Sequence, residues 1–370
     1  MGIRGLTGLL RWNETSESMP NWTALSGKTV GIDILGFLYK AKAQKQSIFE
    51  YLAKLVVSLR RLNITPLPIF DGKPPSEKRN ALKQRSELRI NSDIQKKILE
   101  RDLETVELNN SHRLTIEKAL RTLMLNSSFL TSEERDQAKQ FFYACGVLCL
   151  NATGEADNAI AYFARRGDFA AVISNDLDFL ARGVETLLVP ESNAYPGDAS
   201  GWHMYKLSAI LNELKFTYQQ FLEMCVLMGC DYTVGLPSVP YRSAYWAIKY
   251  TGSLKYALLK QGVQDFTPYE KAVDILRGLY ETPESMMGEK QWNKLAAGPP
   301  PCEPETLAAL RPLMGDITDE EYASLCAQAS LCIGNSSDKG FRNNTGWMGC
   351  SHDHPKCTDS QYEQYQEQYC

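Results

Sequence analysis

Three apolar segments of the chain run straight into aspartate. They are Thr29-Val30-Gly31-Ile32-Asp33, Leu67-Pro68-Ile69-Phe70-Asp71, and Ala170-Ala171-Val172-Ile173-Ser174-Asn175-Asp176, the last followed by Leu177-Asp178. Glu155 and Asp157 open a helical pattern at 155–166, and Asp231 follows an apolar helical run at 217–229. One Asp after a strand commonly opens a turn or caps the next helix. Acids at a helix start favour its dipole by about 0.3–1 kcal/mol. Three strands ending alike are harder to explain that way. Carboxylates gathered without a His or Cys ligand set favour hard, oxygen-seeking ions, Mg²⁺ or Mn²⁺. Two such ions about 3.5–4 Å apart can activate a water and stabilise the leaving oxygen of a phosphodiester.

A basic run follows Asp71 directly: GKPPSEKRNALKQRSELR, with Lys73, Lys78, Arg79, Lys83, Arg85 and Arg89. Lys78 and Arg85 lie two helical turns apart and share a face. A solvated basic helix is the plain alternative. A basic face beside an acidic metal site suits an anionic substrate that bridges the two. Charge along the chain agrees. Residues 1–90 carry 15 Lys and Arg against 7 Asp and Glu, whereas residues 151–250 carry 7 against 11 and residues 251–370 carry 10 against 17. The overall charge of −4 and pI near 5.8 conceal a basic front end suited to a polyanion.

The elements that must position these groups read as an α/β fold. Helical patterns at 47–61 and 155–166 alternate with the apolar strands, which predicts a mostly parallel sheet covered by helices. Ligands of such sheets collect outside the carboxyl ends of the strands, where Asp33, Asp71 and Asp176 fall. Residues 86–140 are polar and helix-forming, broken at Asn109-Asn110-Ser111 and Asn126-Ser127-Ser128. They read as two or three amphipathic helices inserted between strands, with a capping box at Thr131 and Glu134. Further helices are expected at 217–229 and 241–250, around a Pro-containing turn at 235–240. The stretch 298–304 reads as a linker, and from about Gly334 onward disorder is the expectation.

At 370 residues the chain is long enough for two or three domains. No stretch reaches the roughly 18 apolar residues of a membrane helix. The opening MGIRGLTGLL is too short and too charged for a signal peptide, and Leu6 breaks a myristoylation pattern. The ten cysteines are scattered, and Cys145, Cys149, Cys225 and Cys230 read as buried thiols of an intracellular protein. Secretion and membrane anchoring are not expected.

Together these residues resemble the flap endonuclease/XPG family of structure-specific 5′ nucleases, along most of residues 1–275. The resemblance rests on MGIRGLTGLL, GIDILGFLY, IFDGKPPSEK with Arg85 beyond it, GEADNAIAYFARRG, VISNDLDFLARG and LMGCDYTVGLP, in that order. It implies a PIN-like nuclease core made of residues 1–90 and 141–262, a helical arch at 86–140, and a helix–two-turn–helix duplex anchor near 231–250. A C-terminal helical region (263–333) and a polar tail (334–370) complete the expected organisation. It further implies that Asp33, Asp71, Glu155 and Asp157 hold one catalytic ion and Asp176, Asp178 and Asp231 a second. Lys78 and Arg85 would polarise the scissile phosphate. Tyr39 would stack on the base beside it, and DNA contacts are expected at Gly2, Lys83, Ser238 and Arg242.

The expected activity is Mg²⁺-dependent, two-metal cleavage of DNA at 5′ flaps and 5′ ends, in replication or repair, with flapped, nicked or junction DNA as the partner. A 5′–3′ exonuclease, a junction resolvase and a non-catalytic DNA-binding scaffold are the alternatives.

The chain departs from the family pattern in places. Asp157 stands where the family usually has Glu. Ser238-Val239-Pro240 replaces the Gly-hydrophobic-Gly of the anchor, and proline removes an N–H. That argues against the K⁺ ion the resemblance implies there. A sliding-clamp box is not found, and a monomer is expected. Localisation is expected to be intracellular: nuclear in a eukaryote, otherwise cytoplasmic or at a viral replication site. Cys350, His352, His354 and Cys357 could in principle bind Zn²⁺, but their spacing is unlike common fingers, and an incidental polar tail is the expectation.

Overall fold

The computed structural model describes residues 2–12, 20–74, 78–105, 110–191, 194–198, 200–236, 239–279 and 281–327. Of residues 79–81, 104–105 and 110–111 it describes the backbone alone. A six-stranded sheet forms the centre: β1 (Thr29–Asp33), β2 (Thr65–Phe70), β3 (Leu150–Asn151), β4 (Ala171–Ile173), β5 (Thr186–Pro190) and β6 (Trp202–Lys206). Their order is β3-β2-β1-β4-β5-β6. Pairs from β3 through β5 are parallel, and β6 runs antiparallel at one edge.

Alternation along each strand loads both faces of the sheet. Leu67, Ile69 and Val172 enter one core, while Phe70, Ala171 and Ile173 enter the other. Burial on both faces explains why the strands read as continuous apolar runs. Gly31 is required by packing, because a Cβ there would sit 2.5 Å from the Phe169 ring. Strand order reverses between β1 and β4, with β2 and β3 on one side and β5 and β6 on the other. The carboxyl edge at such a reversal is where open α/β sheets bind ligands.

The expected helices form at Ile48–Arg61, Ala156–Arg165, Tyr218–Met228 and Tyr241–Thr251. The inserted segment is a packed pair, Arg79–Thr105 and Asn110–Ser127, so its first helix starts earlier than expected. The next helix, Ser132–Ala144, opens with the predicted Thr131/Glu134 capping box. It buries Ala138, Phe141, Phe142 and Ala144 and therefore belongs to the body rather than to the inserted pair.

Residues 298–303 carry no helix or strand but do not separate domains. The Glu303 N–H donates to the Ala144 carbonyl, and Leu307, Met314 and Leu325 beyond it complete the second core. The Cys350–Cys357 cluster lies outside the described residues. No described helix is long and apolar enough to cross a membrane.

Candidate active site

Four neighbouring strands deliver acids to one edge. Asp33 ends β1, and Asp71 follows β2. Glu155 and Asp157 follow β3, and Asp176 and Asp178 follow β4. Asp33 and Glu155 are both N-cap residues, yet neither side chain makes the capping bond. Asp33 Oδ2 instead accepts from the Ser174 hydroxyl at 2.8 Å. At the Ala156–Arg165 helix, Asp71 takes the Ala156 N–H at 2.7 Å. Glu155 is thereby left for other partners. The helix-capping explanation fails for both residues.

The acids crowd one another. Burial, then Asp157, Asp71 and Asp176, hold the Asp33 carboxyl well above its usual range despite the Ser174 bond. Burial and Asp176 do the same for Asp178. Asp157 is pushed up to about 6 by burial, with Asp176 and Asp71 adding to it and Arg182 and Lys78 opposing. Asp71, the one exposed member of the seven, rises through lost hydration and Glu155. Such a set is short of positive charge.

Part of that charge comes from Lys78, whose ammonium lies 2.5 Å from Glu155 and 3.1 Å from Asp231. Arg85 also pairs with Asp231. Burial opposes ionisation of Asp231, but Lys78 and Arg85 outweigh it and hold its carboxyl below the usual range. Burial would neutralise Lys78, and Glu155, Asp157, Tyr232 and Asp231 reverse that.

The N-terminal segment closes the site from another direction. The Ile3 N–H donates to Asp178 Oδ1 at 2.7 Å. A Cβ on Gly2 would lie 2.7 Å from the same oxygen and 3.1 Å from Asp176 Oδ1. Gly2→Val is therefore expected to displace both carboxylates and lower activity at least about tenfold, since outer-shell changes at metal sites cost about 10–100-fold. Cleavage rates of the two proteins at equal melting temperature check this.

Three site residues escaped sequence reading. Arg182 is 2% exposed, pairs with Asp157 at 3.8 Å, bonds Asn158, and donates to the Tyr232 hydroxyl at 2.8 Å. Tyr232 in turn donates to Glu155 Oε2 at 2.7 Å. Ser174 links the ends of β1 and β4 through Asp33 and the Asp176 N–H. Arg182 sits in an ARG triplet that looks like an ordinary helix end, so no spacing signal marks it. Tyr232 stands beside Asp231, a position that could have drawn notice.

The remaining expected residues are less central. Tyr39 is half-buried against the core, six residues and about 9 Å along its helix from Asp33. Lys83 is exposed on the first inserted helix, 4.0 Å from Glu87. Arg242 lies over the Trp12 ring at 5.2 Å. Ser238 lies outside the described residues.

A groove of about 1120 Å³ adjoins the acids, between the helix Ile34–Ala43 and the inserted helix Asn110–Ser127. Gly36 and Asn175 mark its acidic end, and Lys40, Lys45, Lys54 and Arg121 line the rest. The site thus offers acids to a cation and, beside them, a basic channel to a polyanion.

The donor set fits hard divalent ions: oxygen ligands only, with Asp33, Asp157 and Asp178 raised by burial first and by neighbouring carboxylates second, a cost that a dication would offset. Among the described residues, no three His, Cys, Asp or Glu side chains converge tightly enough to ligate an ion in this arrangement. Lys78 occupies Glu155 and Asp231.

Comparison with known proteins places these residues in two matched regions. The XPG N-terminal domain matches residues 1–92, and the XPG I-region matches residues 146–231. All seven acids, Lys78 and Arg85 fall within them. Flap endonuclease 1 of Entamoeba histolytica is 27% identical over 274 residues, 70% of this chain and 69% of that protein. Flap endonuclease 1 of Entamoeba dispar is 27% identical over 316 residues, 80% of each. The flap endonuclease-1 structure from Methanococcus jannaschii superposes with TM-score 0.55 at 18% identity, covering 88% of this chain and 98% of that one. The catalytic core of Rad2 bound to a DNA substrate gives TM-score 0.60 at 16% identity, with the same coverage. The nuclease-core fold is shared.

Proposed function

The chain belongs to the flap endonuclease/XPG family, nucleases that hydrolyse DNA phosphodiester bonds, and from that premise we propose that it cuts DNA at 5′ flaps and 5′ ends with two Mg²⁺ ions. The observation that carries this reading is the convergence of acids from β1, β2, β3 and β4 beside Lys78 and Arg85. Mn²⁺ is expected to substitute. Asp33, Asp71, Glu155 and Asp157 would hold one ion and Asp176, Asp178 and Asp231 the other. The ions, once bound, supply an activated water and stabilise the leaving oxygen.

The protein's own groups do the rest. Lys78 and Arg85, held beside Glu155 and Asp231, would draw in the scissile phosphate and stabilise its developing charge. The inserted helices form the arch, and the Lys40–Arg121 groove guides the unpaired 5′ strand by its phosphates. Tyr39 stacks on the terminal base. Selection rests on DNA shape at the junction, since charge and stacking carry little base information. The protein works as a monomer inside the cell, in the nucleus if its source is a eukaryote, in replication or repair.

Matched rates on 5′-flap, nicked and four-way DNA test the substrate class. The flap is expected to be cut fastest, near its base. A four-way junction cut faster than the flap would replace this reading with a resolvase.

A further inference from the structure

We infer that the duplex-anchor helix carries a stacking platform for unpaired nucleobases, built from Trp246 and Tyr250 with Arg242 at its head. These three residues recur at intervals of four along the helix Tyr241–Thr251, so they form one stripe. Trp246 is 44% exposed and Tyr250 is 77% exposed, an unusual presentation for two large rings. Their rings stack on each other, with centroids 5.3 Å apart and planes at 19°.

The stack is held from below. Tyr245 meets Trp246 edge-on at 5.0 Å and is itself fixed by Trp12 and Phe216. Trp246 is thus backed by packed rings, while Tyr250, stacked on it, stays largely open to solvent.

Charge selects the occupant. Residues 241–260 contain Arg242, Lys249, Lys255 and Lys260 and not one Asp or Glu, within a half of the chain that is otherwise acidic. An exposed aromatic stack on a segment that carries four cations and no acid suits a single-stranded nucleic acid, with bases on the rings and phosphates drawn by that charge. In the neighbouring turn, Pro240 offers no N–H to a phosphate. Stacking would complement the weakened backbone grip and hold an unpaired strand near the junction. The inference takes the polymer to be DNA from the nuclease reading and is otherwise independent of the cleavage chemistry.

The full-length chain is titrated in EDTA with labelled oligothymidylate and with a blunt hairpin duplex, following fluorescence anisotropy. Tyr250→Ala is expected to weaken oligothymidylate binding about tenfold, leave the hairpin within about twofold, and be rescued by Tyr250→Phe. Equal loss on both DNAs would mean backbone contact without stacking and would overturn the inference. Unchanged binding of both would also overturn it and leave the face to a protein partner. Flap cleavage by the wild type in Mg²⁺ is read alongside. If the wild type cleaves and Tyr250→Ala binds oligothymidylate normally, only this inference falls. If the wild type neither cleaves nor binds, the nuclease reading falls too.

Discussion

Asp176→Ala abolishes cleavage of a 5′-flap duplex while leaving its binding at or above the wild-type level. The carboxylate stands at the end of β4, where it repels Asp33, Asp157 and Asp178. On the two-metal reading it would be one of the carboxylates that hold an ion at this edge. Even outer-shell partners of a metal cost about 10–100-fold when removed, so losing a ligand should exceed about a hundredfold. Binding should not suffer, because the change removes negative charge from a cleft that receives a polyanion.

The same loss of charge separates this effect from misfolding. Relieving repulsion among carboxyls already held above their usual range should keep or raise the melting temperature in divalent-free buffer. Asp176→Asn keeps an acceptor for the Asp178 N–H and serves as the isosteric control. Single-turnover rates and anisotropy on the same protein check both halves.

Lys78→Met lowers turnover about 10²–10³-fold with little change in KM. Lys78 is 6% exposed and lies between Glu155 and Asp231, among the acids proposed to hold the ions. A preorganised cation aimed at developing charge contributes on that scale. Removing one member of a buried ion pair can also cost about 3–5 kcal/mol of stability. Methionine retains the volume, and thermal melts with and without Mg²⁺ separate the two effects. If KM alone rose, Lys78 would be a plain phosphate contact.

Much of this site was legible in the sequence because strand-end acids announce themselves twice. The apolar run fixes the strand, and the aspartate after it fixes the edge, as for Asp33, Asp71 and Asp176. The inserted helix pair was legible from its polarity and its Asn-rich break. Its first boundary was not, because the basic helical stretch around Lys78 and Arg85 and the polar stretch from 86 onward read as separate elements, whereas they form one helix, Arg79–Thr105.

The roles of Arg182, Tyr232 and Ser174 depend on contacts between segments far apart in the chain. Arg182 bonds Tyr232 fifty residues on, and Ser174 reaches Asp33 across 141 residues. Neither pairing leaves a local pattern. Nor could composition reveal that Glu155 does not cap its own helix, since Asp71 arrives there from another strand. The stretch at 298–304 misleads for a related reason. Pro and Gly mark a break in regular structure, but they do not say whether the helices beyond it return to the same core, as Leu307 and Met314 do.

The most direct test of the two-metal reading is Mg²⁺-dependent cleavage of a 5′-labelled flap duplex, beside Asp176→Ala and an EDTA control. A single product cut near the flap base, absent in both controls, is the expected result. Tight binding without cleavage in either Mg²⁺ or Mn²⁺, or cleavage by Asp176→Ala at the wild-type rate, would contradict it.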